Sequence, residues 1–322
     1  MKYLDATHDL YKKAALEPDI GLCCSTTPIW KFPGLEIPMI MQEMNYGCGS
    51  TISAQDLTNN PKILYVGVGG GMELLQFAYF SRQKGGVIGI DIVDEMLEAS
   101  KQNFKIAETQ NDWFKSEFVT LKKGNALQLP VEDASIDVAA QNCLFNIFRT
   151  EELKKALQEM YRVLKPGGRL VMSDPTCEQI INNTLKSDDN LRAQCLSGCI
   201  SIDSYINALT DVGFGTIEIR GRRPYRILDP VHYPTDELIY IESIEVCAIK
   251  NPLPADGACI FSGKAAIYYG AQDFFDDKKG HVLIKNQPLS VCDKTAHALS
   301  LLDRKDIFIS QSTYHYNGGG CC

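Results

Sequence analysis

Apolar positions along the chain change their period several times, and the changes divide it into regions. In residues 1–20, Leu4, Leu10, Tyr11, Ala14 and Ala15 gather on one side of a helical wheel, and Pro18 ends the helix they predict. Residues 21–60 are rich in Gly, Pro, Ser and Thr and carry one short helical stretch around Pro38–Tyr46. Residues 1–60 therefore read as a helical and loop cap over something else.

From residue 61 the signals alternate. Lys62–Val68 is an apolar run bounded by Pro and Gly, which predicts a buried strand, and Met72–Arg82 predicts a helix. Val87–Ile92 and Asp94–Phe104 repeat the pair. Val119–Lys122 and Ile136–Gln141 read as further strands, Glu151–Leu164 as a helix, Pro166-Gly167-Gly168 as a turn and Arg169–Ser173 as a strand. Such alternation predicts an α/β fold around a parallel sheet covered on both faces. Residues 176–212 read as a helical insertion whose clearest helix is Ser201–Val212, and Ile217–Arg220 resumes strand character. Strand-like runs at Leu238–Ile249, Lys264–Tyr269 and Val282–Ile284 predict a smaller α+β unit over residues 225–322, leaving residues 61–224 as the central domain.

Charge narrows the partners. The net charge is −8 and no basic stripe is present to neutralise phosphates, which argues against nucleic acid and against an anionic membrane. The first residues hold no apolar signal core, and no apolar run reaches membrane-spanning length, so the expected compartment is the cytoplasm. There the 12 cysteines are expected to stay reduced. Cys143, Cys247 and Cys292 lie in apolar surroundings and read as small packed hydrophobes. Cys23, Cys24, Cys48, Cys177, Cys195, Cys199, Cys259, Cys321 and Cys322 stand near Gly, Ser, Thr or Pro, or beside one another, as loop thiols do. Reduced loop thiols suit soft metals and metalloids, and no Cys-x-x-Cys pair with zinc spacing competes for them.

The most informative stretch is Ile63-Leu64-Tyr65-Val66-Gly67-Val68-Gly69-Gly70-Gly71, with Gly67, Gly69 and Gly71 between a predicted strand and a predicted helix. Glycines there permit a tight turn and close approach of a ligand to the backbone. Asp91, with Ile92 beside it, ends the second predicted strand, where an acid can accept hydrogen bonds from both ribose hydroxyls; Asp94 suits the role of helix cap and leaves Asp91 for a ligand. Gly124-Asn125-Ala126-Leu127-Gln128-Leu129-Pro130 follows, then Asn142 at the end of the fourth strand, then Leu164-Lys165-Pro166-Gly167-Gly168. NAD is one ligand for such a loop. The whole set, in this order, resembles instead the class I S-adenosylmethionine-dependent methyltransferases over about residues 60–220. The resemblance implies a Rossmann-like, seven-stranded sheet ending in an antiparallel hairpin. It puts Gly67, Gly69, Gly71, Asp91, Ile92, Asn125, Ala126 and Asn142 at the cofactor, with the Asn125-Ala126 turn beside the adenine. One departure is Tyr65, where that family often has an acid.

No histidine stands near the predicted carboxyl edge of the sheet: His8, His232, His281, His297 and His315 all lie outside the central domain. Thiols stand there instead, in Tyr46-Gly47-Cys48-Gly49-Ser50, in Ser173-Asp174-Pro175-Thr176-Cys177 and in Cys195-Leu196-Ser197-Gly198-Cys199. With Val246-Cys247-Ala248, the Lys264–Tyr269 run and the terminal Gly-Gly-Gly-Cys-Cys, these segments resemble the arsenite methyltransferase family across nearly the whole chain. Gly21-Leu22-Cys23-Cys24 is similar to its cyanobacterial-type branch, associated with arsenosugar biosynthesis.

The resemblance implies that Cys48, Cys177 and Cys195 hold trivalent arsenic, supplied as arsenite or as a thiol conjugate. Cys199 stands where the family has a small residue and is expected to pack. The resemblance also implies glutathione or thioredoxin as external reductant, with Cys23-Cys24 assisting arsenic capture or reduction and Cys321-Cys322 passing arsenic or electrons. Two other readings account for part of the sequence. A C- or O-methyltransferase of sterol or quinone type explains the cofactor motifs but not the loop thiols. A thiol-rich metalloid-binding protein without turnover explains the thiols but not Gly67, Gly69, Gly71 and Asp91.

Overall fold

The computed structural model describes residues 2–19, 22 and 32–313. Cys23, Cys24, Cys321 and Cys322 lie outside the described residues. Helix α1 (Lys2–Leu16) is followed by the short α2 (Met39–Glu43). The predicted apolar face of α1 is the one that packs: Ala14 is buried and Leu4, Leu10, Tyr11 and Ala15 are half-buried against the core, joined by a buried Tyr3.

The central unit runs β1 (Ile63–Val66), α3 (Met72–Ser81), β2 (Val87–Asp91), α4 (Asp94–Gln110), β3 (Val119–Lys123), β4 (Ile136–Asn142), α5 (Thr150–Val163) and β5 (Leu164–Thr176). Three helices, α6 (Asn183–Lys186), α7 (Asp189–Ala193) and α8 (Ile202–Val212), precede β6 (Thr216–Leu228), β7 (Ile239–Ile249) and β8 (Cys259–Phe261). The sheet order is β3-β2-β1-β4-β5-β7-β6-β8. Strands β1 to β5 pair in parallel, and β7 enters antiparallel between β5 and β6.

Strand alternation explains how both faces are covered. Ile63 and Tyr65 of β1 join one buried cluster with Leu74 and Phe77 of α3 and Phe104 of α4. Leu64 and Val66 point the other way, into a second cluster with Leu157 of α5 and Leu209 of α8. With residues buried on both faces, β1 reads as a continuous apolar run without polar alternation.

Three expectations need correction. Pro166-Gly167-Gly168 is not a turn before a strand; β5 already pairs at Leu164, and the segment is an irregularity within it, opposite a register shift between Ile136 and Val138. Leu238–Ile249, assigned from sequence to the C-terminal block, is instead the antiparallel strand at the centre of the sheet's far half. Its residues alternate as any half-buried strand does, and a local pattern does not say which sheet a strand joins. The sheet also exceeds seven strands, because β8 adds an eighth parallel to β6.

Beyond β8, β9 (Ala265–Tyr268), β12 (Leu289–Ser290) and β13 (Ile307–Ile309) form a small sheet, β10 (Phe274–Asp276) and β11 (Val282–Ile284) a hairpin, and α9 (Asp293–Ser300) packs on them. Tyr268, Leu283, Val291 and Leu299 form their separate core. No helix among the described residues is long and apolar enough to cross a membrane.

Candidate active site

The carboxyl ends of β2, β1 and β4 open onto one cavity, the usual place for a ligand in a parallel sheet. Gly67, Gly69 and Gly71 adopt φ values of 85°, 50° and 89°, in the left-handed region that favours glycine. A side-chain carbon built on Gly67 would meet only Leu144, at 3.8 Å, and one on Gly69 only the Met44 carbonyl, at 3.6 Å. The loop therefore presents bare backbone to the cavity.

Asp91 ends β2 as expected. Its carboxylate accepts backbone N–H bonds from Val68 and Val93, each at 2.9 Å, which fix it against the glycine loop. Burial pushes its pKa up to about 6, against the pull of those amides. Ile92, Asn125 and Ala126 line the same end of the cavity. The Asn125 side chain accepts from Leu127 N–H at 2.9 Å, which shapes the turn.

The wall opposite comes from β4 and from the cap. Asn142 is committed on both sides: Nδ2 donates to the Gly49 carbonyl at 2.9 Å and to Glu73 at 3.0 Å, while Oδ1 accepts the Cys48 N–H at 2.9 Å. It ties the Cys48 segment to the cavity wall. Thr7, His8 and Tyr11 of α1 and Met44 and Tyr46 close the cavity from above. His8, set aside from its position in the sequence, is thus a cavity residue.

Of the thiols, Cys143 lines this cavity, and Cys48 and Cys195 are tied to its lining residues Asn142 and Cys143. Cys48 is fully buried, with its sulfur 3.4 Å from Ser173 Oγ and its carbonyl accepting from Ser243 Oγ at 2.6 Å. A side-chain carbon on Gly49 would fall onto Ser173 Oγ, so only glycine lets the segment lie this close to β5. Cys143, read from sequence as a packing residue, follows Asn142 directly, has φ 60°, and lines the cavity. Cys195, at φ 59°, donates its thiol to the Cys143 carbonyl at 2.8 Å. Cys177 turns elsewhere, donating to the Gln179 carbonyl at 3.3 Å, and burial raises its pKa. The Cys199 thiol donates to the Cys195 carbonyl at 3.2 Å; burial, then the nearby Cys195, Cys177 and Cys48, raise its pKa well above the ordinary thiol value.

Among the described residues, no three His, Cys, Asp or Glu side chains are gathered closely enough to hold a metal ion as they stand. Behind the thiols, burial pushes the Asp174 carboxyl up to about 7, while Gln141 and the Tyr205 hydroxyl donate to it.

A protein-family profile described as "Methyltransferase domain" matches residues 57–229, more than half of the chain. This chain belongs to that family. The methyltransferase is 28% identical over 177 residues to an arsenite methyltransferase of Halobacterium salinarum, a match covering 55% of this chain and 43% of that relative. It is 27% identical over 289 residues to an arsenite methyltransferase of Aquipseudomonas alcaligenes, covering 85% of this chain and 80% of that one. Its fold is similar to that of an arsenic(III) S-adenosylmethionine methyltransferase from Chlamydomonas reinhardtii, with a TM-score of 0.62 and 23% identity over 89% of this chain and 99% of the other.

The methyltransferase has the class I fold and uses S-adenosylmethionine, and its residues fit that cofactor: bare backbone at Gly67 and Gly69, a carboxylate at the end of β2, and a cavity at the sheet's carboxyl edge partly open to solvent. Sequence reasoning missed Cys143, Glu73 and His8. The signal for Cys143 was its place one residue after Asn142, at the strand end where the cavity begins.

Proposed function

We propose that this methyltransferase transfers methyl groups to trivalent arsenic held by cavity thiols. The observation that carries the reading is Cys143 in the cavity lining, with the Cys195 thiol donating to its carbonyl and the Cys48 backbone N–H donating to Asn142 of the same lining. The names of the two relatives support it.

Cys48 and Cys195 keep the ligand roles implied by the resemblance. For the third ligand the geometry favours Cys143, which lines the cavity, over Cys177, whose thiol is turned to Gln179. Three thiolates suit soft, pyramidal arsenic(III). Cys195 must leave the Cys143 carbonyl to bind, so arsenic itself completes the ligand set.

Bound S-adenosylmethionine supplies an electrophilic methyl group on a sulfonium. Arsenic held by Cys48, Cys143 and Cys195 would accept that methyl group through its lone pair, with the leaving electron pair remaining on the cofactor's sulfur. No general base is required, and the protein contributes alignment and exclusion of water. Arsenic rises from the trivalent to the pentavalent state. Two thiols, of glutathione, thioredoxin or the chain itself, restore it by forming a disulfide. A reducing cytoplasmic compartment suits this chemistry. Detoxification and arsenosugar biosynthesis are the two roles the product serves on this reading.

The test is to incubate the protein with isotopically labelled S-adenosylmethionine, arsenite and a thiol, and to look for methylated arsenic by mass spectrometry. Labelled methylarsenic is expected. Cys48→Ser, Cys143→Ser and Cys195→Ser should each reduce its formation at least about a hundredfold, and Cys177→Ser much less. Label found only in an organic acceptor would favour the quinone- or sterol-type reading. Arsenite bound without transfer would favour a sequestering protein.

A further inference from the structure

Glu73 lies in the first turn of α3, in the cavity wall, and is 6% exposed. One carboxylate oxygen accepts from Thr51 Oγ1 at 2.6 Å and Thr51 N–H at 3.3 Å. The other accepts from the Tyr65 hydroxyl and from Asn142 Nδ2 at 3.0 Å. Burial raises its pKa, and these donors pull it back toward the ionised form. Every donor is neutral. Among the described residues no ion pair reaches it: Arg223 and Arg220, on the far half of the sheet, are taken by Glu245 and Asp56. A buried carboxylate held by neutral donors beside an open cavity lacks a counter-charge, and leaving a buried charge unpaired is costly.

The strand order says which part of the ligand can supply one. Asp91 ends β2, Asn142 ends β4, and β1 runs between them. With the ribose on Asp91 and the adenine toward Asn125 and Ala126, the rest of S-adenosylmethionine must cross the end of β1 toward β4. That path runs along Glu73 and leads to the cysteines.

We propose that Glu73 is the counter-charge for the ammonium of the cofactor's methionine arm, so that this end of the cavity selects ligands carrying the α-amino group. The inference rests on the cofactor being S-adenosylmethionine. In it, Tyr65, Thr51 and Asn142 hold the carboxylate at the cavity wall. Because Asn142 also grips Cys48, the arm of the cofactor and the acceptor thiol are positioned through one chain of hydrogen bonds.

The test is calorimetric titration of the full-length chain with two neutral-sulfur ligands: S-adenosylhomocysteine, which carries the amino group, and methylthioadenosine, which lacks the amino-acid arm. Glu73→Gln keeps size and most hydrogen bonding but removes the charge. It should raise the Kd for S-adenosylhomocysteine about tenfold or more and leave that for methylthioadenosine within about twofold. Asp91→Asn should weaken both.

The wild-type chain gives a second measurement that does not depend on a variant folding. It should bind the deaminated 2-oxo analogue of S-adenosylhomocysteine about tenfold more weakly than the parent. Equal loss of both ligands in Glu73→Gln, an unchanged Kd for S-adenosylhomocysteine, or indifference of the wild type to deamination would overturn the proposal. Failure of the wild type to bind S-adenosylhomocysteine at all would overturn the cofactor assignment instead.

Discussion

At Asp91 the chemistry of one residue makes binding depend on pH. Its carboxylate holds the glycine loop through Val68 and Val93, and on the proposed reading it also accepts ribose hydroxyls. Both use the ionised form, yet burial sets the pKa at about 6. A ligand that donates to the carboxylate stabilises the ionised form further, so affinity is full above that pH and declines as pH falls through it. Titration of S-adenosylhomocysteine between pH 7.5 and 5 should therefore show a steady loss of affinity on the acid side, about tenfold per pH unit at the limit. Asp91→Asn should flatten the profile; an unchanged slope would assign the titration to another group, Glu73 of the same cavity wall being a carboxyl whose pKa burial also raises.

The residues that sequence reasoning found and missed at this site differ in a physical way. Glycines with positive φ and an acid at a strand end leave a local mark, since their backbone demands are written in adjacent positions. Glu73 leaves none. An acid in the first turn of a helix is what the helix dipole favours everywhere, so its burial under Tyr65 and Thr51 is a tertiary fact. Cys143 sits in an apolar run and looked like packing; only the end point of β4 turns it toward the cavity.

On the scale of elements, the segment around Cys48 is held by partners from three strands: Asn142 of β4, Ser173 of β5, and Ser243 and Glu245 of β7. Its approach to β5 depends on the absence of a side chain at Gly49. Gly49→Ala should push the segment off β5 and move Cys48 away from the cavity, lowering methyl transfer about tenfold or more, while the Kd for S-adenosylhomocysteine stays within about twofold. Equal loss of cofactor binding would mean that the segment shapes the cofactor wall instead of the acceptor side. Helices and strands of the central unit were legible in their order because each buries a face with its own period. The insertion of β7 between β5 and β6 was not, since antiparallel pairing between strands remote in the chain has no local signature.

For the molecule as a whole, the sheet supplies a floor, and the N-terminal residues supply a roof carrying His8, Tyr11, Met44 and Tyr46. Tyr46 fastens the roof by donating to the Ala14 carbonyl of α1 at 3.2 Å. On the proposed reading the cofactor lies in this partly open cavity with the acceptor beside it, as in-line transfer requires. The α1 helix and the cap were read from sequence as separate from the cofactor domain, and it is their packing over the carboxyl edge that makes the cavity. Arsenic on the thiols at that cavity is what the proposed function requires.

The most direct measurement is arsenic X-ray absorption on the protein with one equivalent of arsenite and S-adenosylhomocysteine, in a chain whose Cys23, Cys24, Cys321 and Cys322 are serine. The account predicts a coordination shell of sulfur alone, losing sulfur in Cys48→Ser, Cys143→Ser and Cys195→Ser and unchanged in Cys177→Ser. A shell of oxygen, or one that none of the first three substitutions alters, would contradict it.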